Sequence, residues 1–539
     1  MATFFQEDEI LGKAYDARIM RRLLTYVRPY AGMSIVAMLL LALVSLVDLV
    51  GPALTLYGID HFIVPTTHSL SYDQRGYGLL IVASIYILVL VVGFILRYLH
   101  ELLLIIVGQR IMFDMRSQMF DHLQRHALSY FDHNPVGRLM TRLTNDVDSL
   151  NEVFTSGAIS ILGDVLTLVG VAIALLLINW QLALVTFIVL PPLLWIASYF
   201  RIAMRDNFRA IRVRLARINA YVAENITGMS IVQLFNREQR NYKQFDVLNR
   251  DYLQQTIRSL FYFILFSAVT SFFSSLAVAL VIWYGGGRIL AGVLTLGALV
   301  AYLQYVDRFF LPIRDLAEKY NILQSAMASS ERIFKVLDEP ITVQDPAMPR
   351  KFTRVHGEIE FRDVWFAYNP GEWVLKGISF KIQPGERVAF VGATGAGKTS
   401  IISLMSRFYD VQQGGIYVDG INVRDVQQKD LRKHIGAVLQ DPFIFSGTIA
   451  SNIRLHEKHI SNAMVRQAAE YVNAAHFIEQ LPHKYEEEIR ERGAGLSVGQ
   501  KQLLAFARAV AFNPEILLIL DEATSSVDTE TEVLIQDAL

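Results

Sequence analysis

Residues 392–399 have the types and the spacing needed to bind a chain of phosphates. They read Gly-Ala-Thr-Gly-Ala-Gly-Lys-Thr and match the pattern G-x-x-x-x-G-K-[S/T]. The glycines let backbone N–H groups face phosphate oxygens, Lys398 supplies a positive charge, and Thr399 offers a hydroxyl to Mg²⁺. The flanking residues predict a buried strand over 386–392 and a helix that begins near residue 401, whose dipole favours bound phosphate.

A second apolar stretch ends in two carboxylates. Residues 516–520 read Ile-Leu-Leu-Ile-Leu, and Asp521 and Glu522 follow. An uninterrupted apolar run is typical of a parallel strand that is buried on both faces. Asp521 would then hold the Mg²⁺ shell, and Glu522 would orient or polarise an attacking water. Together with the glycine-rich loop, these residues indicate transfer of a phosphoryl group to water.

The composition restricts the class of protein that carries these groups. Of 539 residues, 53% are hydrophobic and 19% charged, and the mean hydropathy is +0.33. These values exclude an ordinary soluble enzyme and a mainly disordered chain. The net charge of −1 gives no overall attraction to nucleic acid. Because the chain has no cysteine, disulfides, thiol catalysis and cysteine-ligated metals are excluded.

Long uncharged runs between residues 33 and 318 predict six membrane-spanning helices. Residues 165–200 form an uncharged run of 36, which as one helix would measure about 54 Å against a bilayer core of about 30 Å. This run must therefore turn back, and Asn179-Trp180-Gln181 is its polar interruption. The remaining spans are expected within 33–62, 76–96, 259–287, and from 289 to beyond 306.

Basic residues predict the orientation of these spans. Arginines are concentrated after the second span and after the fourth, and they are scarce in the opposite loops. By the positive-inside rule the arginine-rich segments and both termini are cytoplasmic. Residues 116–126 and 203–226 have helical periodicity, so we expect the membrane helices to continue beyond the bilayer. The basic, amphipathic start of the chain would lie on the inner membrane surface.

Five further motifs resemble those of ATP-binding cassette (ABC) transporters. Residues 496–500, Leu-Ser-Val-Gly-Gln, resemble the signature LSGGQ, and Tyr368 matches the aromatic residue of the A-loop. Gln440 matches the Q-loop, Asp528 the D-loop, and residues 491–493 the exporter-type X-loop. With the spans placed before them, the chain resembles an exporter half, and most closely one subunit of a heterodimeric multidrug-type exporter.

The resemblance implies a multi-domain membrane protein with an all-α six-helix transmembrane domain and an α/β P-loop NTPase domain, the ABC cassette. The expected domains are an amphipathic elbow at 1–30, the transmembrane domain at 31–325, a linker at 326–355, and the cassette at 356–539. The chain ends at Leu539, before the position where the family carries a switch histidine, and its last histidine is His483. We expect a C-terminally incomplete cassette; the alternative is a natural cassette without that histidine.

The resemblance also implies the ligands and the residues that hold them. ATP and Mg²⁺ are expected, each ATP lying between the phosphate loop of one chain and the signature of a second half-transporter. The implied catalytic residues are Glu522 and Gln440, and the implied Mg²⁺ ligands are Thr399, Gln440 and Asp521. The implied nucleotide contacts are Tyr368, Gly392, Thr394, Gly395, Ala396, Gly397, Lys398, Thr399, Ser400, Ser497, Gly499, Gln500 and Asp528.

Val498 departs from the family pattern, which has glycine there. A β-branched side chain restricts φ and ψ and occupies space where backbone should approach phosphate. We therefore expect a weakened signature and a heterodimer, whose second subunit carries LSGGQ and lacks the glutamate that follows its own Walker B aspartate. The alternative is a harmless variation at a tolerant position.

The implied activity is ATP-driven export of a small amphipathic or lipid-like substrate across the cell membrane. The partners would be a second half-transporter and the bilayer, with no nucleic acid. Two alternatives stay open, an ATP-gated channel or regulatory membrane subunit, and a homodimeric lipid flippase. Asp48 or Asp164 could contact cationic cargo, or the intramembrane acids could be paired or buried between helices. Residues 131–136 and 228–235 are the expected tips that couple the cassette to the spans.

Overall fold

The computed structural model describes residues 16–64, 71–154, 158–352, 355–393, 395–520 and 533. The chain divides into two compact units. The first unit comprises the residues up to 121 together with 139–338. The second comprises residues 122–138 and the chain from 339 onward.

All regular structure in the described residues up to 338 is helical. Its helices are α1 (Ala17–Val27), α2 (Ala31–Gly58), α3 (Tyr72–Arg125), α4 (Leu128–His133), α5 (Val136–Thr141), α6 (Val147–Glu152), α7 (Ala158–Phe187), α8 (Leu190–Thr227), α9 (Met229–Leu234), α10 (Glu238–Leu290) and α11 (Leu296–Asp338). Helices α3 and α10 contain 54 and 53 residues. Each is more than twice as long as a bilayer core is thick, so a membrane helix of this length would extend beyond the bilayer.

Four described helical stretches are long and apolar enough to cross a bilayer. They are Ala17–Ile63, Tyr72–Arg125, Ser160–Phe187 and Glu238–Leu290. The two other expected spans fall in α8, which begins with two prolines, and in α11, which contains Pro312. The total of six therefore stays a prediction.

The polar interruption at Asn179 is a break in the backbone. Asn179 has φ −161° and ψ 107° inside α7, which is extended and not helical. Its side-chain oxygen accepts a hydrogen bond from the N–H of Leu182 at 2.9 Å, so Asn179 caps the helical segment that follows. The sequence placed the interruption of the long uncharged run at this residue, and the structure confirms it.

Three acidic residues of the expected spans one and three each have a partner. Asp48 pairs with Arg97 at 3.1 Å, and Asp164 pairs with Lys319. Asp60 accepts the N–H of Gly297 at 2.8 Å and the hydroxyl of Thr295 at 2.5 Å, at the start of α11. These contacts support the pairing alternative, because charge left unpaired in an apolar medium is costly.

The apolar core of the first unit joins α7, α8, α10 and α11. Tyr302 and Phe310 of α11 are fully buried, and Val171, Leu193 and Val281 contribute from the other three helices. Phe261, Phe263 and Phe272 of α10 are exposed in the single chain.

The described residues of the second unit form three small sheets. Its strands are β1 (Ile359–Ala367), β2 (Trp373–Ile382), β3 (Gln413–Val418), β4 (Ile421–Asn422), β5 (Ile435–Val438), β6 (Gly447–Thr448), β7 (Glu488–Ile489) and β8 (Leu517–Leu520). An antiparallel sheet has the order β2-β1-β3-β4, β5 pairs with β8 in parallel, and β6 pairs with β7. In register, Ile359 faces Ile382 on β2 and Val418 on β3.

Six helices complete this unit after the first strands, within the described residues. They are α12 (Lys398–Met405), α13 (Gln428–Lys433), α14 (Ile449–Arg454), α15 (Asn462–Tyr471), α16 (Ala475–Glu479) and α17 (Val498–Ala511). Helix α12 packs on the antiparallel sheet through Ile401 and Leu404. Helices α14 to α17 enclose a separate apolar core that includes Ile449, Ala469 and Leu504. The unit therefore has one core under the phosphate loop and another under the signature.

Two expectations about strands are corrected. Residues 386–392 form no paired strand, and Val391 is 93% exposed. A strand needs a neighbour for its ladder bonds, and no described residue pairs with this stretch. Strand β8 does form, but Leu518 and Leu520 are exposed while Ile519 is buried. The apolar run is therefore covered on one face only in the described residues.

We predict that Asp164→Ala destabilises the first unit by about 2 kcal/mol, because it leaves the largely buried Lys319 ammonium without its carboxylate. The double variant Asp164→Leu/Lys319→Met should recover most of this loss, since it removes both charges and keeps the volume. The measurement is the thermal unfolding midpoint of the purified protein in detergent. Equal midpoints for the single and double variants would contradict a stabilising pair.

Candidate nucleotide site

The phosphate loop adopts a backbone conformation that requires glycine. Gly395 and Gly397 have φ of +86° and +92°, in the left-handed region. Gly397 caps the start of α12, and a Cβ built there would lie 2.8 Å from Leu375 Cδ2. A Cβ on Gly392 would lie 3.0 Å from the Cβ of Ala396. The cradle is therefore shaped by backbone, as close approach to a phosphate demands.

The charges and dipoles at this loop suit a polyphosphate. Lys398 is the first residue of α12, and its Nζ donates to the carbonyl of Gly392 at 2.9 Å, so the ammonium lies across the loop. The dipole of α12 adds a positive partial charge at its N-terminus. Thr399 follows in the same turn, whereas Thr394 lies outside the described residues. This donor set fits the phosphates of ATP.

Tyr368 lies next to the phosphate-loop helix. It follows β1 directly, and its hydroxyl is 3.0 Å from the hydroxyl of Ser400, which is buried in α12. Its ring makes edge contacts with Phe366 and Tyr409, with centroids 4.8 and 5.2 Å apart. The structure therefore brings together the expected adenine-stacking residue and the expected phosphate-binding residues.

The strand pairing places Gln440 at the edge of the sheet where β8 ends. Strands β5 and β8 are parallel, with Val438 opposite Leu520, and Gln440 is two residues beyond Val438. Carboxyl ends of neighbouring parallel strands lie at one edge of a sheet. The predicted residues Asp521, Glu522 and Asp528 lie outside the described residues, so their roles stay predictions.

The signature residues begin helix α17 through a reciprocal pair of hydrogen bonds. The N–H of Gln500 donates to the hydroxyl of Ser497 at 3.2 Å, and the N–H of Ser497 donates to the side-chain oxygen of Gln500 at 2.9 Å. This capping box fixes the direction of the helix N-terminus. Gly499 is buried in the first turn.

Val498 occupies the first helical position of α17. Its φ is not positive, so the backbone here does not require glycine. Valine therefore takes an ordinary helical conformation here, and the expected weakening of the signature stays a prediction. What remains is steric: the side chain is 49% exposed at the helix N-terminus, where a phosphate would approach.

Arg508 is a structural residue of the site that sequence reasoning missed. From α17, its Nε donates to the carbonyl of Asn452 at 2.9 Å, and its Nη1 and Nη2 donate to the carbonyl of Phe443 at 3.1 and 3.2 Å. Burial lowers the pKa of the Arg508 guanidinium. These bonds tie the signature helix to the segment after Gln440. The available signal was an arginine inside the otherwise apolar run 503–511.

A second missed residue, Tyr409, joins α4 to the A-loop. Its hydroxyl donates to the carboxylate of Asp132, and burial together with this bond raises the pKa of Tyr409. Tyr368, Tyr409 and Asp132 line one cavity of about 480 Å³. Asp132 lies within the predicted coupling tip 131–136. The other predicted tip, 228–235, forms the short helix α9 between α8 and α10.

Comparison with known families identifies both parts of the chain. The model of the ABC transporter transmembrane region matches residues 34–313, and the ABC transporter model for the ATP-binding part matches residues 375–525. The chain belongs to the ABC transporter family.

Curated relatives of this ABC transporter align over most of their length. A "Probable multidrug resistance ABC transporter ATP-binding/permease protein YheH" of Bacillus subtilis is 38% identical over 87% of this chain and 70% of its own. A fatty acid ABC transporter ATP-binding/permease protein of Mycobacterium bovis is 37% identical over 80% of this chain and 68% of its own. An ATP-dependent lipid A-core flippase of Syntrophus aciditrophicus is 33% identical over 97% of this chain and 85% of its own.

These matches and the two units agree on the organisation of the transporter. A helical membrane domain and an ATP-binding cassette are fused in one chain, as in an exporter half-transporter. The protein is an ATPase that couples ATP hydrolysis to transport. Of the residues expected to bind ATP, the structure describes the glycines of the phosphate loop and the ammonium of Lys398.

We predict that Gly397→Ala weakens binding of trinitrophenyl-ATP by about tenfold or more, because it combines a left-handed φ with overlap on Leu375. Gly385→Ala is the matched control. Gly385 has φ +75° in an exposed turn, and a Cβ there would meet no atom within 4 Å. The control should bind within about twofold of the unmodified protein. Equal affinity of both variants would show that the cradle tolerates a side chain.

Proposed function

We propose that this ABC transporter exports a small amphipathic or lipid-like molecule across the cell membrane as one half of a heterodimer. Three relatives carry names for multidrug resistance, fatty acid transport and lipid A-core flipping, which supports an apolar or amphipathic cargo. The observation that carries the heterodimer is the exposed valine at the start of α17.

The proposed reaction assigns a task to each predicted residue of the phosphate side. Tyr368 stacks on the adenine, the backbone N–H groups of 392–397 hold the phosphates, and Lys398 contacts the β- and γ-phosphates. Thr399, Gln440 and Asp521 hold Mg²⁺, which when bound neutralises charge on those phosphates. Glu522 orients the attacking water, and Gln440 contributes to the same catalytic edge.

The proposed site is shared between two subunits. Ser497, Gly499 and Gln500 of this chain would face the nucleotide held by the partner half-transporter, and Asp528 would lie at the seam. Because the Val498 side chain projects from the helix N-terminus, it reduces the room for the γ-phosphate of that nucleotide. This chain would therefore supply the weak signature to one ATP site. To the other site it would supply an intact phosphate loop together with Asp521 and Glu522. The partner would carry LSGGQ and lack the catalytic glutamate.

We also propose the domain limits and the orientation. The elbow is 1–30, the transmembrane domain 31–325, the connecting segment 326–355 and the cassette 356–539. Helix α11 continues to Asp338, so the first part of the connecting segment is helical. The arginine-rich parts of α3, α8 and α10 support placing them, and both termini, on the cytoplasmic side.

We predict that Val498→Ala raises the ATPase rate of the assembled transporter by about threefold, since it removes the projecting methyl groups and keeps a helical residue. Val498→Gly should have a similar effect, because the position does not require a glycine conformation. Met464→Ala, in the first turn of α15 and exposed, is the control and should leave the rate unchanged. Phosphate release measures all three. Unchanged rates for both Val498 variants would favour a tolerant position and remove the argument for a heterodimer.

Transport itself is tested in inside-out membrane vesicles that contain this chain and the product of an adjacent reading frame. We expect MgATP-dependent accumulation of a fluorescent amphiphile, and we expect Glu522→Gln to abolish it with nucleotide binding retained. Conductance without stoichiometric ATP consumption would indicate a gated channel. Full activity of this chain purified alone would indicate a homodimer, as in a flippase.

A further inference from the structure

We propose that α8 and α11 form a binding site for the anionic head group of an amphiphile, a phosphate or a carboxylate. The site lies in the first unit, whereas the nucleotide-binding residues belong to the second. It rests on the proposed function, because it names the chemical class of the transported molecule. The carrying observation is a cavity of about 340 Å³ whose charged lining residues are all arginines.

One face of each helix builds this cavity. The lining residues are Arg205, Phe208, Arg209 and Arg212 from α8, and Gln324, Ser325, Ala328 and Arg332 from α11. On α8 they are spaced by three, four and seven residues from the first, so they project from one side of the helix. The residues on α11 also recur about once per turn. The four guanidinium groups therefore converge on one space by helical geometry.

Arg332 is held in place by a carboxylate. Its Nε donates to Asp146 Oδ2 at 2.9 Å, and its Nη2 donates to Asp146 Oδ1 at 2.5 Å. Asp146 is only 9% exposed and also accepts the hydroxyl of Ser329 at 3.1 Å. This bidentate ion pair neutralises the charge of Arg332 and fixes the orientation of its side chain at one wall of the cavity.

The three arginines of α8 that line the cavity are not neutralised in the same way. In the part of the chain that the structure describes, Arg205 has as its carboxylate partner its exposed sequence neighbour Asp206, at 3.3 Å. Among the described residues, no carboxylate lies within 4.0 Å of Arg209 or Arg212. Like charges at spacings of three and four residues destabilise a helix. A bound anion would relieve this repulsion, and a guanidinium presents paired donors that match a phosphate or a carboxylate.

The cavity also offers contacts for an apolar chain. Phe208 is 45% exposed, and both it and Ala328 line the space beside the arginines. Gln324 and Ser325 supply uncharged hydrogen-bonding groups. An anionic head group with an attached hydrocarbon chain would use both kinds of surface, whereas an inorganic ion would use only the charged one.

Three acidic residues of the expected spans one and three point to the same conclusion. Asp48 and Asp164 are each paired with a basic side chain, and Asp60 caps α11. A cationic head group would have to displace an existing partner at each of these three positions. An anionic head group meets arginines whose charge is still available.

The test measures binding to the full chain in phosphatidylcholine nanodiscs without nucleotide, by calorimetry with empty nanodiscs subtracted. The probes are dodecyl phosphate, dodecyltrimethylammonium and inorganic phosphate. We expect saturable binding of dodecyl phosphate, which Arg209→Gln/Arg212→Gln weakens by about tenfold or more. Arg209→Lys/Arg212→Lys should stay within about threefold, since the positive charges remain.

The control variant Arg217→Gln/Arg240→Gln removes two exposed arginines of α8 and α10 that do not line the cavity. It should bind dodecyl phosphate within about twofold of the unmodified protein. An equal loss in this control would overturn the site in favour of general surface charge. If dodecyltrimethylammonium bound with the same affinity as dodecyl phosphate, the site would not prefer anions. If inorganic phosphate bound with the same affinity, the hydrocarbon chain would not contribute to binding. Retained trinitrophenyl-ATP binding would show that each variant is folded.

Vesicle transport separates failure of this site from failure of the proposed function. If dodecyl phosphate binds as expected but no amphiphile accumulates with MgATP, the site stands and the export proposal falls. If dodecyl phosphate accumulates equally with and without Arg209→Gln/Arg212→Gln, export stands and the site is not part of the transport path.

Discussion

The left-handed backbone at Gly397 is the constraint on which the nucleotide site depends. It turns the chain out of the loop and into α12, and it leaves Lys398 across the cradle. A side chain there would overlap Leu375 of β2, so the turn is held against the antiparallel sheet. Tyr368 reaches the same helix through Ser400. Backbone geometry, charge and the aromatic ring are thus organised around one short helix.

A second constraint governs the membrane part, where charge must be compensated. Asp48 in α2 and Asp164 in α7 are paired, and Asp60, which follows α2, caps α11, in agreement with the high cost of isolated charge in an apolar medium. The arginines of α8 lie where the helix carries many charged residues, and they face a cavity. These three acids of the first unit are compensated, whereas the α8 arginines at the cavity are not compensated in the same way. This difference would give the first unit a preference for anionic over cationic head groups.

Much of the site could be predicted because its chemistry is local. The phosphate loop, the capping residues of the signature and the break at Asn179 each depend on a few adjacent residues, so the sequence was sufficient to place them. The strand over 386–392 could not be placed in this way, since a strand needs partners that are distant in the chain. Burial of β8 on one face and the bonds of Arg508 to Asn452 and Phe443 depend on packing between distant segments in the same manner.

The sequence by itself determined the family, the phosphate cradle and the membrane character of this protein, because motif spacing and hydropathy are properties of neighbouring residues. Only the tertiary structure showed that Val498 has an ordinary helical conformation, because the type of a residue does not by itself determine its φ angle. The structure also decided which charges are compensated and which converge on the cavity between α8 and α11. Those contacts join Asp164 to Lys319 and Asp146 to Arg332, residues more than 150 positions apart, which pattern reading has no means to pair.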